Sequence, residues 1–310
     1  MSKHPRIAVI GSTGQVARAL VARAAAREVT LAARGRPQLD ITSRASIDEF
    51  LAAFEPDVVV NAAAYTAVDK AEGDAAAAFA VNAAGSANIA AACAEAGASL
   101  IHLSTDYVFD GNKRTPYAES DPTAPLGVYG ASKAEGEAHV RALLPRHVIV
   151  RTSWVYGPRG ANFLLTMLRL AESRDEVRVV ADQHGAPTSA DDLADAILDI
   201  APRLTERCDA SDVWGTYHVT GGGQTTWHGF AAAIFTEAAR IGMRAPRLVA
   251  ITTADYPTPA RRPAYSVLDT SRAKAKLGIV MPTWNDGVRR ALAEIARSRQ
   301  QAEQIEGAGT

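Results

Sequence analysis

Ile7-Ala8-Val9-Ile10-Gly11-Ser12-Thr13-Gly14-Gln15-Val16-Ala17 is the stretch that decides the fold. Four apolar residues in a row read as a short strand buried on both faces, and an amphipathic helical pattern runs on to about Arg27. The turn between them brings backbone N–H groups and the positive end of a helix dipole to one point, which suits a pyrophosphate. Small residues there let the phosphates approach without collision. The spacing is G-x-x-G-x-x-A, a variant of the dinucleotide-binding fingerprint. Two glycines fit any strand-to-helix junction; their place at the first junction of a repeating pattern is what reads as nucleotide binding.

That pattern continues outward. Strands are expected at 29–33, 58–60, 100–103 and 148–150, with helices at 45–54 and 76–96, the latter ended by Gly97. Uninterrupted apolar strands separated by helices describe a parallel sheet covered on both faces. After Gly157 the pattern mixes helices (162–172, 191–200, 227–241, and from about Asn285) with isolated strands at 177–180 and 217–219. The fold class expected is α/β: a Rossmann-type doubly wound parallel sheet with a smaller C-terminal α+β substrate domain. The boundaries expected are 1–158 for the nucleotide-binding domain, with return segments near 188–204 and 215–221, and 159–296 for the substrate domain. Past Ile295 the one sizeable apolar side chain is Ile305, so 297–310 reads as a flexible tail.

The chain has 310 residues, with 33 Lys and Arg against 34 Asp and Glu. A formal net charge of −1 argues against nucleic acid or an anionic membrane as the main partner. The N-terminal apolar run is too short for a signal peptide, and no uninterrupted apolar run approaches the ~18 residues of a membrane span. A cytoplasmic location is expected. Cys93 and Cys208 stand in unrelated contexts, which fits a reduced compartment better than a disulfide framework. The seven histidines show no ligand spacing, so no metal site is expected.

Cofactor choice is written at the end of the second strand, where an NAD site usually carries an acid for the ribose 2′-hydroxyl. Here Leu31-Ala32-Ala33-Arg34-Gly35-Arg36 carries none. Arg34 or Arg36 could hold a 2′-phosphate bidentately, so NADPH is expected, with NADH as an alternative. Chemistry is suggested by Tyr129-Gly130-Ala131-Ser132-Lys133, just before a helical stretch at 134–144. Residues at i and i+4 share a helix face, so phenol and ammonium can reach one cleft. The ammonium is expected to favour the phenolate and tune Tyr129 as an acid or base. Ser104-Thr105-Asp106 ends the fourth strand, where ligands of open α/β sheets collect.

These features resemble the extended short-chain dehydrogenase/reductases. Within that group, several segments are similar to the dTDP-4-dehydrorhamnose reductase family. They are Asn61-Ala62-Ala63-Ala64-Tyr65-Thr66-Ala67-Val68-Asp69, Ser104-Thr105-Asp106-Tyr107-Val108-Phe109-Asp110-Gly111 and Arg151-Thr152-Ser153-Trp154-Val155-Tyr156-Gly157. Asp182-Gln183-His184-Gly185-Ala186-Pro187-Thr188 and the later Arg262-Pro263, Ser266 and Leu268-Asp269 extend the likeness, which covers about 7–292.

The resemblance implies that Tyr129 donates the proton, Lys133 holds the nicotinamide ribose and Thr105 assists at the carbonyl. Gly11, Thr13, Gly14, Gln15 and Val16 would lie on the pyrophosphate, and Asp40 and Ile41 by the adenine, with Arg34 or Arg36 read from the strand end as the holder of a 2′-phosphate. Ala62, Ala63, Ala64 and Tyr65 would line the cofactor, while Asp106, Val108, Trp154 and Arg262 would touch the substrate. The implied reaction is NADPH-dependent reduction of dTDP-4-dehydro-β-L-rhamnose (dTDP-6-deoxy-L-lyxo-4-hexulose) to dTDP-L-rhamnose, the last step of dTDP-rhamnose biosynthesis for cell-surface polysaccharide, by a monomer or homodimer. The alternatives are a nucleotide-sugar epimerase or dehydratase on the same scaffold, or a non-catalytic NADP-binding regulatory subunit. One departure stands out. Some members carry Glu on the first helix for a metal-bridged dimer, and the matching position here is Ala19.

Overall fold

The computed structural model describes residues 5–205 and 213–308. Cys208 lies outside these described residues. A single sheet of six parallel strands organises the chain: β1 (Ile7–Ile10), β2 (Leu31–Arg34), β3 (Val58–Asn61), β4 (Ser99–Thr105), β5 (His147–Thr152) and β6 (Gly215–His218). Their spatial order is β2-β1-β3-β4-β5-β6. The order turns back at β1, which pairs with β2 on one side and β3 on the other. Crevices at such a reversal, outside the carboxyl ends of the strands, are where open α/β sheets take their ligands.

Every residue of β1, β3 and β5 is buried, as an apolar run covered from both sides requires. Along β1, Ile7 and Val9 join one core and Ala8 and Ile10 the other, the period of two that a pleated strand imposes. The first core is closed by helix α1 (Gln15–Ala26) through Ala17, Ala19, Leu20 and Ala24, together with the helix Ala190–Ile200. Ala19 therefore faces the interior of this chain. Arg23 and Arg27 fasten the same two helices through Asp195 and Asp199. On the opposite side lie α2 (Arg44–Phe54), α3 (Ala75–Ala96) and α4 (Val128–Leu143).

By length and composition α3 could cross a membrane, but half of its apolar window is buried within the fold. It is also interrupted: residues Ala80–Ala84 form a π-helical turn. That turn aims Asn82 inward, where its amide donates to the Tyr65 carbonyl and the Ser132 hydroxyl and accepts from the Tyr65 N–H. Such bulges recur at functional sites, and alanine content alone gives no hint of this one.

The remaining elements form a separate core around Tyr156, Leu164, Phe230, Trp284 and Val288. Small sheets stitch it together, including Glu176–Val180 with Arg247–Ile251 and Val155–Tyr156 with Thr188–Ser189. The last helix, Trp284–Ala308, continues through most of 297–310, where the sequence pattern predicts a tail. Among the described side chains, Ile295 is the last buried apolar one of this helix. Arg299 nonetheless pairs with Glu172, and Ala, Arg, Gln and Glu are strong helix formers that propagate a helix without a core face.

Candidate active site

A cleft of about 720 Å³ opens along the carboxyl ends of β1, β3, β4 and β5. At one end, Gly11 takes φ 104° and approaches the chain after β3 so closely that an added Cβ would stand 2.8 Å from the Ala63 amide nitrogen. Only glycine meets both demands. Gly14 caps α1 with no side-chain partner, which leaves the first N–H groups of the helix free for an anion. Thr13, Gln15, Val16, Ala62, Ala63, Ala64 and Tyr65 also line the cleft. This glycine-cleared space at a bare helix N-terminus fits a dinucleotide pyrophosphate.

Beside it, Gly35, Arg36, Leu39 and Ile41 line the cleft. Of the two arginines offered from sequence for the 2′-phosphate, Arg36 borders the cleft and Arg34 does not. Its guanidinium lies 5.2 Å from the centre of the Phe50 ring, outside the cleft wall. Arg34 is the last residue of β2, whereas Arg36 lies beyond the strand, in the turn that borders the opening. Asp40 is likewise diverted. Its carboxylate accepts from Arg36 at 3.1 and 3.2 Å and from the Thr42 amide and hydroxyl, and only its neighbours Leu39 and Ile41 reach the cleft.

At the other end, Thr105, Tyr129 and Lys133 share the wall. Tyr129 lies inside α4, whose first residue is Val128. The helix thus begins before the pair, not at 134 as the sequence pattern predicts. Lys133 is buried and its Nζ donates to the Leu103 carbonyl at 2.6 Å. Burial brings its pKa down to about 8, against the opposing pull of Glu137. Tyr129 moves the other way, pushed up to about 12 by burial, while a hydrogen bond with Thr105 pulls it back and the Asp106 charge adds to the rise. The expectation that Lys133 would lower the phenol is corrected here: desolvation wins, and Tyr129 keeps its proton at neutral pH.

Asp106 is buried beside them, its Oδ1 accepting from the Thr105 hydroxyl at 3.0 Å. Burial pushes its carboxyl up to about 7, against hydrogen bonds from Ser266 and Thr105. Trp154 also lines the cleft. Val108 and Arg262, both assigned from sequence to the substrate, lie elsewhere. Val108 is fully buried with Phe109, Tyr117 and Leu268, because the turn after Asp106 points it into the core. Arg262 spends its guanidinium on Asp69, at 2.9 and 2.7 Å, and on Thr258 at 2.5 Å.

Sequence reasoning passed over other wall residues: Leu103, Thr152, Ser153, Val155 and the loop from Gly160 to Asn162. The Thr152 hydroxyl is buried and has no hydrogen-bond partner among the described residues, so a bound group can satisfy it. Asn162 bonds Gln15 of the glycine loop at 2.9 Å while capping the helix Phe163–Ser173. An Asn before an amphipathic run was legible as a cap; its reach to Gln15 was not. Among the described residues no three His, Cys, Asp or Glu side chains gather as a metal site requires.

With this geometry in view, comparison with known proteins gives a consistent answer. The family described as RmlD substrate binding domain matches residues 5–297. A dTDP-4-dehydrorhamnose reductase of Sinorhizobium fredii is 47% identical over 285 residues, covering 92% of this chain and 96% of the relative. A crystal structure of the Clostridium acetobutylicum reductase of that name superposes with a TM-score of 0.87 at 36% identity, covering 94% and 99% of the two chains. The Bacillus anthracis reductase, solved in complex with NADP, gives 0.86 at 35% identity over 94% and 100%. The chain belongs to the RmlD substrate binding domain family, in which these dTDP-4-dehydrorhamnose reductases are its relatives.

Proposed function

We propose that the protein reduces dTDP-4-dehydro-β-L-rhamnose to dTDP-L-rhamnose with NADPH, the last step in making that sugar nucleotide. The observation that carries the reading is one continuous cleft with a pyrophosphate cradle at Gly11 and Gly14 and a Thr105–Tyr129–Lys133 cluster along its wall. Likeness to the reductases, one of them solved with NADP, supports the same substrate and cofactor classes.

When bound, NADPH supplies the hydride to the sugar C4. The work of this chain is to receive the charge that develops on the C4 oxygen. Tyr129, still protonated at neutral pH, donates its hydroxyl proton there. Thr105 hydrogen-bonds the same oxygen and then the phenolate left behind. Lys133, held on the Leu103 carbonyl, offers its remaining protons to the nicotinamide ribose and puts a positive charge on the helix face that carries Tyr129. Asp106 and Trp154 orient the sugar, and Arg36 takes the 2′-phosphate in exchange for Asp40. We place the sugar nucleotide against the part of the chain beyond residue 158.

The test is NADPH consumption with dTDP-6-deoxy-L-lyxo-4-hexulose, beside UDP- and GDP-linked keto sugars, with products identified by NMR. Turnover of the dTDP sugar to dTDP-L-rhamnose is expected. No consumption with it, or tightly held NAD that is recycled without net reduction, would overturn the proposal in favour of an epimerase or dehydratase.

A further inference from the structure

Glu137 lies one turn beyond Lys133 on α4 and is fully buried. Arg151 of β5 grips its carboxylate with Nε at 2.8 Å and Nη2 at 2.7 Å, the Ser104 hydroxyl donates at 2.6 Å, and Arg141 reaches it at 3.1 Å. A buried ion pair is costly to desolvate and is weak grounds for stability, so it invites a search for another purpose. Its neighbours supply one. Two consecutive residues of β4 are tied to residues of α4 spaced by one turn, and the third lies on the same cleft wall as Tyr129. The Leu103 carbonyl accepts from Lys133, the Ser104 hydroxyl donates to Glu137, and Thr105 lines the cleft with Tyr129. Positions 129, 133 and 137 run along one helix face. Glu137 closes that series, and Arg151 fastens it to the next strand.

We propose that Glu137 is a positioning residue for the reduction: through Ser104 and Arg151 it fixes the catalytic face of α4 on β4, and it holds the Lys133 amine in place as an ammonium. The inference rests on the reductase reading above. The ionisable groups facing this corner are Tyr129 and Arg141 from α4, His102 and Asp106 from β4 and the turn after it, His147 and Arg151 from β5, and His218 from β6. Among them it is Glu137 whose charge supports the Lys133 proton against burial. Glu137 itself is pushed up by burial, but the bonds and charge of Arg151 outweigh this and keep it an anion.

The test follows Lys133 in the free protein by NMR of 13Cε-labelled lysine, with Lys133→Arg identifying its resonance. Wild type is expected to titrate near 8. Glu137→Gln keeps the side-chain size and removes the charge, and the Lys133 midpoint is expected to fall below the wild-type value, with less ammonium at a given pH above it. The alkaline limb of kcat/KM should move with it. Because Arg151 would then be buried unpaired, Glu137→Gln with Arg151→Met is measured as well; it strands no charge and is expected to show the same lowered midpoint. Ser104→Ala keeps both charges and is expected to hold the midpoint near 8 while lowering kcat more than it raises KM. A folded Glu137 variant whose Lys133 titrates as in wild type overturns the electrostatic half of the proposal. Unchanged kcat in Ser104→Ala overturns the tether. Failure of wild type to reduce the keto sugar counts against the reductase reading alone, since the lysine titration is read without cofactor or substrate.

Discussion

The indole of Trp154 lies face to face with that of Trp227, ring centres 3.6 Å apart and planes 9° from parallel. The Trp154 backbone is left-handed, with φ 46°. A side chain rarely adopts that conformation unless its surroundings over-determine it. Trp227 supplies the support, and Phe163 backs it in turn at 4.7 Å. Removing Trp227 should free the Trp154 ring at the cleft wall. Such a contact is worth ~0.5–1.5 kcal/mol beyond burial, so Trp227→Ala should raise KM for the sugar nucleotide about 3- to 10-fold. NADPH affinity, measured by fluorescence titration, should stay the same, and Trp227→Phe should restore most of the loss. An unchanged KM in the alanine variant would contradict the platform role.

Arg36 and Arg34 separate cleanly as tests of cofactor choice. Arg36 borders the cleft and is already paired with Asp40, whereas Arg34 lies over Phe50. A hydrogen bond to a charged group contributes about 1.5–3 kcal/mol. Arg36→Ala should therefore weaken NADPH about tenfold or more while sparing NADH, and Arg34→Ala should alter neither preference. Dissociation constants for both cofactors decide the matter; a larger loss in Arg34→Ala would reverse the assignment.

Gly130 allows α4 to press against the turn that follows β4. A Cβ added there would stand 2.1 Å from the Tyr107 carbonyl oxygen. Backbone cannot yield as a flexible side chain does, so Gly130→Ala must shift the helix that carries Tyr129. Overpacking of this kind costs about 1–3 kcal/mol, visible as a lowered thermal midpoint. Turnover should fall further than the lost stability explains, because Tyr129 adjoins the substituted residue. A variant with wild-type midpoint and turnover would show that the contact is slack.

The pH dependence follows from three groups. Lys133 is depressed to about 8 by burial and must stay charged, so kcat/KM for reduction should decline as pH rises through about 8. Tyr129, raised to about 12, remains a proton donor across that range and adds no inflection. Asp106 sits near 7 and should add an inflection there, which Asp106→Asn removes while leaving the one near 8. A profile flat to pH 10 in wild type would count against a required Lys133 ammonium.

Local patterns carried most of what the sequence revealed. β1, the glycine turn and the Tyr129–Lys133 spacing are each set by residues within a few positions, so apolar runs and helix periodicity locate them. Lys133 and Thr105 reach the same wall because strand ends and helix starts cluster at one edge of a doubly wound sheet. What stayed hidden depends on packing between distant segments. Arg262 could be recognised as a cation, but not as one already bound to Asp69, which is far away in sequence. Val108 follows a site residue by two positions, yet the turn buries it. Thr152 and Asn162 face the cleft only because β5 and the following loop fold over the glycine turn. The upward direction of the Tyr129 shift was missed for a related reason: the sequence discloses a neighbouring amine but not the depth of burial that raises the phenol.

One measurement bears most directly on the claim that Tyr129 protonates a C4 oxygen as hydride arrives. Wild type and Tyr129→Phe are each given NADPH deuterated at the transferred position of the nicotinamide, with dTDP-6-deoxy-L-lyxo-4-hexulose, and the product is examined by mass spectrometry and NMR. One deuterium at sugar C4 is expected in the wild-type product, and loss of most turnover in Tyr129→Phe with NADPH binding retained. Deuterium absent from C4, or equal turnover by the two proteins, would contradict that claim.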